Sequence, residues 1–373
     1  MSPKHELLRC WAEIDLAAIS ANAKAVRMQT SGAALMGVVK ANAYGHGAAD
    51  VARALSGNVA SFGVANLTEA REVRLALQTA AAGAELPIFL LGAALPAERE
   101  LIAREGFIPI VSSLAEAADF ARFGPVRLHL AIDTGMGRMG IAPRAALETA
   151  HAIHQLPGVE LTGICSHLPV ADEDDVFTQA QLDQFARLAA EIRRACSPDL
   201  LVHMENSAGA IGFPAAAGDF VRAGLALYGV SPRPAFQARL NPALTWKTRV
   251  ILVRDFEAGR SVSYGRTFIT KAPTRVATLS AGYADGYPRQ ASGRGAHVLI
   301  RGQRCPVLGR VTMDQIMVDV TAVAGVEPSE EAVLLGRHGA EEISAGTLAA
   351  WAGTIPWHIF TGIGQRVVRV PKE

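Results

Sequence analysis

The chain has 373 residues, half of them hydrophobic, with 36 basic and 35 acidic side chains and a formal net charge of +1. That length predicts one large barrel or two domains, and the balanced charge gives no long-range field toward nucleic acid or an anionic membrane. The opening residues Met1-Ser2-Pro3-Lys4-His5-Glu6 carry no apolar stretch of signal-peptide type, and no run approaches the roughly 18 apolar residues a membrane span needs, so a soluble cytoplasmic protein is expected. Cys10, Cys165, Cys196 and Cys305 are widely spaced, with no C-x-x-C pair; reduced thiols and no metal site are expected.

From residue 35 to about 228, short apolar runs alternate with helical patterns, which predicts βα units around a parallel sheet. The runs are 35–41, 61–66, 87–92, 107–112, 126–132, 160–167, 200–206 and 220–227. Between them, stretches such as 67–80 and 178–195 repeat apolar positions at the spacing of an amphipathic helix. Eight consecutive units close into a (β/α)8 TIM-type barrel; an open doubly wound sheet would show a Gly-rich fingerprint after its first strand, and none follows. After Tyr228 the rhythm changes at Ser231-Pro232-Arg233-Pro234-Ala235 and Asn241-Pro242. Beyond lie β-rich runs at 248–253, 275–280, 296–300 and 315–320, and one short helix at 346–352. The expected organisation is a barrel over 1–234 and a mainly β domain over 235–373.

Barrel enzymes keep their chemistry at the carboxyl ends of the strands. Those ends carry Lys40, Asn66, Ser112, the loop Asp133-Thr134-Gly135-Met136-Gly137-Arg138, His167, Asn206 with Ser207, and Arg222 with Gly224. Lys40 ends an apolar run and precedes a small, glycine-punctuated turn, and lysine is almost never fully buried unless paired or covalently used. Ser207 and Gly224 fall after strands seven and eight, where barrels often hold a phosphate. A reactive lysine, a phosphate cradle and an imidazole together suggest pyridoxal 5'-phosphate held as a Schiff base.

Several blocks then carry a family resemblance. They are Trp11-Ala12-Glu13-Ile14-Asp15-Leu16 with Asn22, Val39-Lys40-Ala41-Asn42-Ala43-Tyr44-Gly45-His46-Gly47, Asp133 to Gly140, Asn206-Ser207, Arg222 to Gly229, Ser263-Tyr264-Gly265-Arg266, Gly282 to Gly286 and Gly309 to Gln315. Over nearly its whole length the chain resembles the alanine racemases, pyridoxal-phosphate enzymes with a barrel followed by a β domain. The lysine-tyrosine block and Val311-Thr312-Met313-Asp314-Gln315 are the most specific.

The resemblance implies two catalytic bases, Lys40, which also holds the cofactor, and Tyr264, one on each face of the substrate. Their solution pKa values of about 10.4 and 10 must shift, or hydrogen bonds must assist, for work near neutrality. By the same resemblance, Arg222 faces the pyridine nitrogen with His203 orienting it, His167 lies against the ring, and Tyr44, Asn206, Ser207, Gly224, Leu225 and Tyr228 complete the cofactor site. Arg138 contacts the ring oxygen and the substrate carboxylate, the Met313 backbone completes that carboxylate site, Asp314 orients its neighbours, and Tyr283 limits substrate size. It implies alanine as substrate, a homodimer with shared active sites, and D-alanine made for peptidoglycan. Where many members carry a carbamylated lysine that steadies the arginine, this chain has Ala131; Thr312, Gln365 and Trp357-His358 also depart from common family residues. A racemase of broader amino-acid range, a fold-related pyridoxal-phosphate decarboxylase and a non-catalytic cofactor carrier stand as alternatives, the β domain speaking against the carrier.

Overall fold

The computed structural model describes residues 7–79, 86–216 and 218–372. These described residues divide into two compact units, one within 17–43 and 48–241, the other within 7–16, 44–47 and 242–372.

The first unit is a closed parallel barrel of β2 (Ala34–Val38), β3 (Ser61–Val64), β4 (Ile88–Leu90), β5 (Ile108–Val111), β6 (Val126–Ala131), β7 (Val159–Cys165), β8 (Leu201–His203) and β9 (Phe220–Ala223); β1 (Cys10–Asp15) belongs to the other unit. Closure is made by β2 against β9, with Ala34 opposite Phe220 and Gly37 opposite Ala223. β3 and β5 are buried at every position, which is why they read as short apolar runs. Inside the barrel, Met36, Phe89 and Ile108 pack together with Leu91, and Leu91 continues into a group of Ile110, Ala131 and Cys165 with Met139. The strands stop short of the sequence runs. Lys40, Asn66, Ser112, His167 and Asn206 lie just past the strand ends, and 225–228 form a 3-10 turn instead of extending β9. The expected helix at 67–80 is Leu67–Thr79, with Ala80 outside the described residues, and that at 178–195 starts earlier, at Asp175. There Asp174 caps the helix by accepting from Phe177 N at 2.9 Å.

The second unit is mostly β. Its strands are β1 (Cys10–Asp15), β10 (Leu244–Phe256), β11 (Ser261–Val262), β12 (Phe268–Ile269), β13 (Thr274–Leu279), β14 (His297–Ile300), β15 (Gln303–Pro306), β16 (Ile316–Asp319), β17 (Glu331–His338), β18 (Glu341–Ile343) and β19 (Val368–Lys372). The expected short helix is Ala345–Ala352, capped by Ser344. Three features differ from the sequence expectation. Residues 44–47 belong to this unit and not to the barrel unit. Residues 10–15 do not join the barrel: β1 lies between β10, antiparallel, and β19, parallel. The units part at Asn241/Pro242 and not at 234, because residues 234–239 form a 3-10 turn that buries Phe236 and belongs to the barrel unit. No helix among the described residues is long and apolar enough to cross a membrane.

Candidate active site

Lys40 follows β2 and is half-buried. After it the backbone turns left-handed for four non-glycine residues, Ala41, Asn42, Ala43 and Tyr44, at φ of 53, 54, 52 and 50°. Such residues cost about 1–2 kcal/mol each, so their surroundings must hold them. Ala43 N donates to Val39 O and Ala48 N to Asn42 Oδ1, both at 2.8 Å, and Ala41 N donates to Glu69 Oε1, also at 2.8 Å. Gly45 continues at φ 79°, where a Cβ would lie 2.2 Å from Phe360 O; glycine is required there. Burial depresses the Lys40 amine below its usual range; Arg138 adds to this, Glu69 opposes it and Arg222 reinforces it.

Arg222, on β9, is buried, and its two terminal nitrogens donate to five acceptors: His203 Nδ1 (2.6 Å), His203 O (3.1 Å), Ser166 O (2.6 Å), His167 Nδ1 (3.1 Å) and Met204 O (2.8 Å). Among the described residues no acceptor meets its Nε–H. His203 Nε2 lies 2.8 Å from His129 Nδ1, which extends the line of contacts to an imidazole buried beside Phe89. Burial first, and Arg222 second, push His129 and His167 down to about 3 and His203 well below its usual value. His129 went unread in the sequence, as a lone histidine in the apolar strand Leu128-His129-Leu130 gives no signal by itself.

Ser207 Oγ accepts from Gly224 N (3.0 Å) and Ala226 N (3.4 Å), so its hydroxyl hydrogen remains to be donated. Leu225 lies between those two amides. Asn206 uses both ends of its amide on the fold: Oδ1 accepts from Gly209 N and Nδ2 donates to Leu168 O, each at 3.0 Å. Tyr228 follows in the same turn as Leu225. It is fully buried and its hydroxyl donates to Val38 O at 2.9 Å. Burial raises the Tyr44 phenol to about 12.

In the loop after β6, Asp133 Oδ1 accepts from Gly135 N and Gly137 N at 3.0 Å, bonds that lower its pKa, the one from Gly137 most. The loop presents Arg138 exposed, and no described side chain pairs with it. Ala131 packs instead against Ile110 and Cys165.

Tyr264, Tyr283, Met313 and Asp314 belong to the β unit. Tyr264 is 69% exposed and Met313 52%. Tyr283 N donates to Thr312 O and Ala284 N to Met313 O, both at 3.0 Å, which joins the Tyr283 and Met313 loops. Arg366 ties the same loops, through Nη1 to Asp314 Oδ1 at 2.9 Å and Nε to the buried Asp285 at 3.3 Å. Arg366 itself went unread in the sequence, although the adjacent Gln365 stood out. The predicted residues thus fall into a barrel-rim group around Lys40 and Arg222 and a second group on two laced loops of the β unit.

Comparison with known proteins agrees with this division. Residues 14–232 match the family model for the alanine racemase N-terminal domain and residues 243–371 that for the C-terminal domain. The chain is 43% identical over 368 residues to the alanine racemase of Symbiobacterium thermophilum, covering 96% of each. The crystal structure of alanine racemase from Streptomyces lavendulae superposes with a TM-score of 0.90 at 37% identity, covering 98% of this chain and 97% of that one. That of Bartonella henselae alanine racemase with covalently bound pyridoxal phosphate gives 0.87 at 29% identity, covering 98% and 99%. With both halves matched and relatives of this similarity over its length, the chain belongs to the alanine racemase family of pyridoxal-phosphate-dependent isomerases.

Proposed function

We propose that this chain interconverts L- and D-alanine by a two-base mechanism, with pyridoxal 5'-phosphate as its cofactor, Lys40 acting on one face of the substrate and Tyr264 on the other. The observation that carries the reading is the half-buried Lys40 amine, depressed by burial and by Arg138, on the same barrel rim as a buried Arg222 whose Nε–H meets no acceptor among the described residues. The donor set fits the cofactor: a lysine amine depressed below its usual range, a guanidinium donor, and a serine hydroxyl hydrogen beside backbone amides. When bound, the cofactor would supply an electron-withdrawing system that acidifies the substrate Cα–H.

The residues then have separate tasks. Lys40 Nζ, once neutral, takes or returns the Cα proton on its face. Tyr264 Oη does the same on the opposite face, so the proton leaves one side and returns on the other. Arg222 donates a hydrogen bond toward the ring nitrogen without surrendering its proton, since guanidinium stays charged in proteins. Ser207, with the Leu225 and neighbouring amides and Tyr44, holds the phosphate; Arg138 and the Met313 backbone hold the substrate carboxylate; Tyr283 limits its size. Asp314 is kept in place by Arg366. Tyr264 and Met313 work across a homodimer, each reaching the partner's cofactor, a reading supported by the exposure of both on the β unit. The protein acts in the cytoplasm and its D-alanine serves peptidoglycan.

Incubation with pyridoxal phosphate and L-alanine in deuterium oxide tests this. D-alanine carrying deuterium at Cα, without pyruvate or carbon dioxide, is the expected product. Lys40→Ala should abolish it, and Tyr264→Phe should suppress proton abstraction from one enantiomer far more than from the other. Small, equal losses for both enantiomers would remove Tyr264 from the mechanism.

A further inference from the structure

Two strand-to-helix turns of the barrel unit are closed by the same device. After β5, Ser113 Oγ accepts from Glu116 N at 3.1 Å and Glu116 Oε2 accepts from Ser112 N at 2.5 Å. After β3, Asn66 Oδ1 accepts from Glu69 N at 3.0 Å and Glu69 Oε2 accepts from Ala65 N at 2.7 Å. Both are variants of the reciprocal cap that starts a helix. Their second oxygens differ. That of Glu116 faces Arg99 at 3.9 Å. That of Glu69 accepts from Ala41 N at 2.8 Å, the residue after Lys40.

Ala41 opens the left-handed run, and its N–H is the first donor of a backbone shape that non-glycine residues do not hold unaided. A carboxylate is the stronger kind of acceptor for such a donor. We infer that Glu69 is a positioning residue, whose carboxylate, clamped between Ala41 N and Ala65 N, fixes the left-handed turn and with it the Lys40 side chain. The surroundings of Lys40 agree: it is faced by the cations Arg138 and Arg222 and by His167, and Glu69 is the acid that opposes them. Glu69 therefore ties Lys40 to the neighbouring strand end and keeps its amine from being depressed further. The functional part of this inference rests on Lys40 being the cofactor-bearing base.

The test uses the full chain freed of cofactor, as Glu69→Gln, Glu69→Asp and Glu116→Gln. Hydrogen exchange is read in peptides covering residues 40–44, and the pH midpoint of Lys40 is read from its reaction with an amine-directed reagent by mass spectrometry. In Glu69→Gln, whose amide nitrogen cannot accept from the second N–H, exchange at 40–44 should quicken about tenfold or more and the Lys40 midpoint should move to lower pH. Glu69→Asp keeps the charge on a side chain one methylene too short to span both amides, so exchange should quicken with a smaller movement of the midpoint. Glu116→Gln, which keeps one acceptor for Ser112 N and loses the charge facing Arg99 at an equivalent helix cap, should change neither. If both Glu69 variants match Glu116→Gln in both readouts, Glu69 is only a helix cap and the inference is overturned. Borohydride reduction of the parent protein loaded with pyridoxal phosphate separates the underlying assignment: a tag on Lys40 supports it, and a tag on another lysine overturns the role of Lys40 whatever the clamp variants show.

Discussion

The hydrogen-bond directions at Arg222 fix the state of two buried imidazoles. Its Nη1–H donates to His203 Nδ1, which puts the His203 proton on Nε2 and aims it at His129 Nδ1. His129 then carries its own proton on Nε2, which has no partner among the described residues. Neither ring can accept a second proton without placing a cation against Arg222, and burial opposes it as well. Unfolded, each ring takes a proton near pH 6.5; folded, both stay neutral far below that. The unfolded chain therefore gains protons first as pH falls, and stability drops below about pH 6.5, by up to about 2.7 kcal/mol per pH unit for the pair. Urea midpoints compared at about pH 7.5 and about pH 5.5 should show this loss, reduced by about half in His129→Asn. An identical pH dependence in parent and variant would mean that His129 is not held neutral. His203 was within reach of the sequence through family resemblance. His129 was not, because its importance comes from a partner 74 residues away that only the closed barrel supplies.

At the level of elements, the strand runs were legible because parallel strands buried on both faces need unbroken apolar residues. Their ends were legible because Lys40, His167 and Arg222 interrupt those runs with charge or a ring. The left-handed turn was legible only as a glycine-punctuated break; four non-glycine residues give no left-handed signal, and the acceptor that holds them, Glu69, belongs to the next βα unit. Packing inside β7 was equally hidden. Gly163 stands where a Cβ would lie 2.5 Å from His129 Cε1 and 2.6 Å from Leu201 O. A ring and a backbone carbonyl cannot both retreat, so Gly163→Ala should destabilise the barrel by about 1–3 kcal/mol. Displacing His129 should also disturb the line to Arg222, so cofactor affinity should fall along with the urea midpoint. A variant that loses stability with cofactor binding intact would show that the imidazole line does not reach the site.

At the level of the molecule, the departure from the sequence reading concerns where the chain starts its second unit. Residues 10–15 precede the first barrel helix, Leu16–Gln29, and adjacency alone assigns them to the barrel; nothing local in six residues names a partner strand beyond residue 240. The contacts of β1 are nonetheless extensive. Trp11 is 1% exposed, with the Arg249 guanidinium 5.0 Å from its ring centre, and Trp246 Nε1 donates to Cys10 Sγ at 3.1 Å. Lys247 lies 2.9 Å from Glu13 and 3.2 Å from Glu331, while Lys372 of β19 pairs with Glu13 from the other side. Glu13 is thereby held below its usual carboxylate range by Lys372 and Lys247 despite its burial. Trp11→Ala should cost about 3–5 kcal/mol, and the loss should be confined by topology. Hydrogen exchange should quicken in peptides from β10 and β19, which flank β1, while β2 to β9 keep their protection. Quickening in the barrel strands with β10 and β19 unchanged would return residues 10–15 to the barrel, as the sequence alone suggested. The pairing registers of Trp11 with Lys247 and with Val368 argue for the first outcome, because removing the indole opens a cavity on the strand that joins β10 to β19.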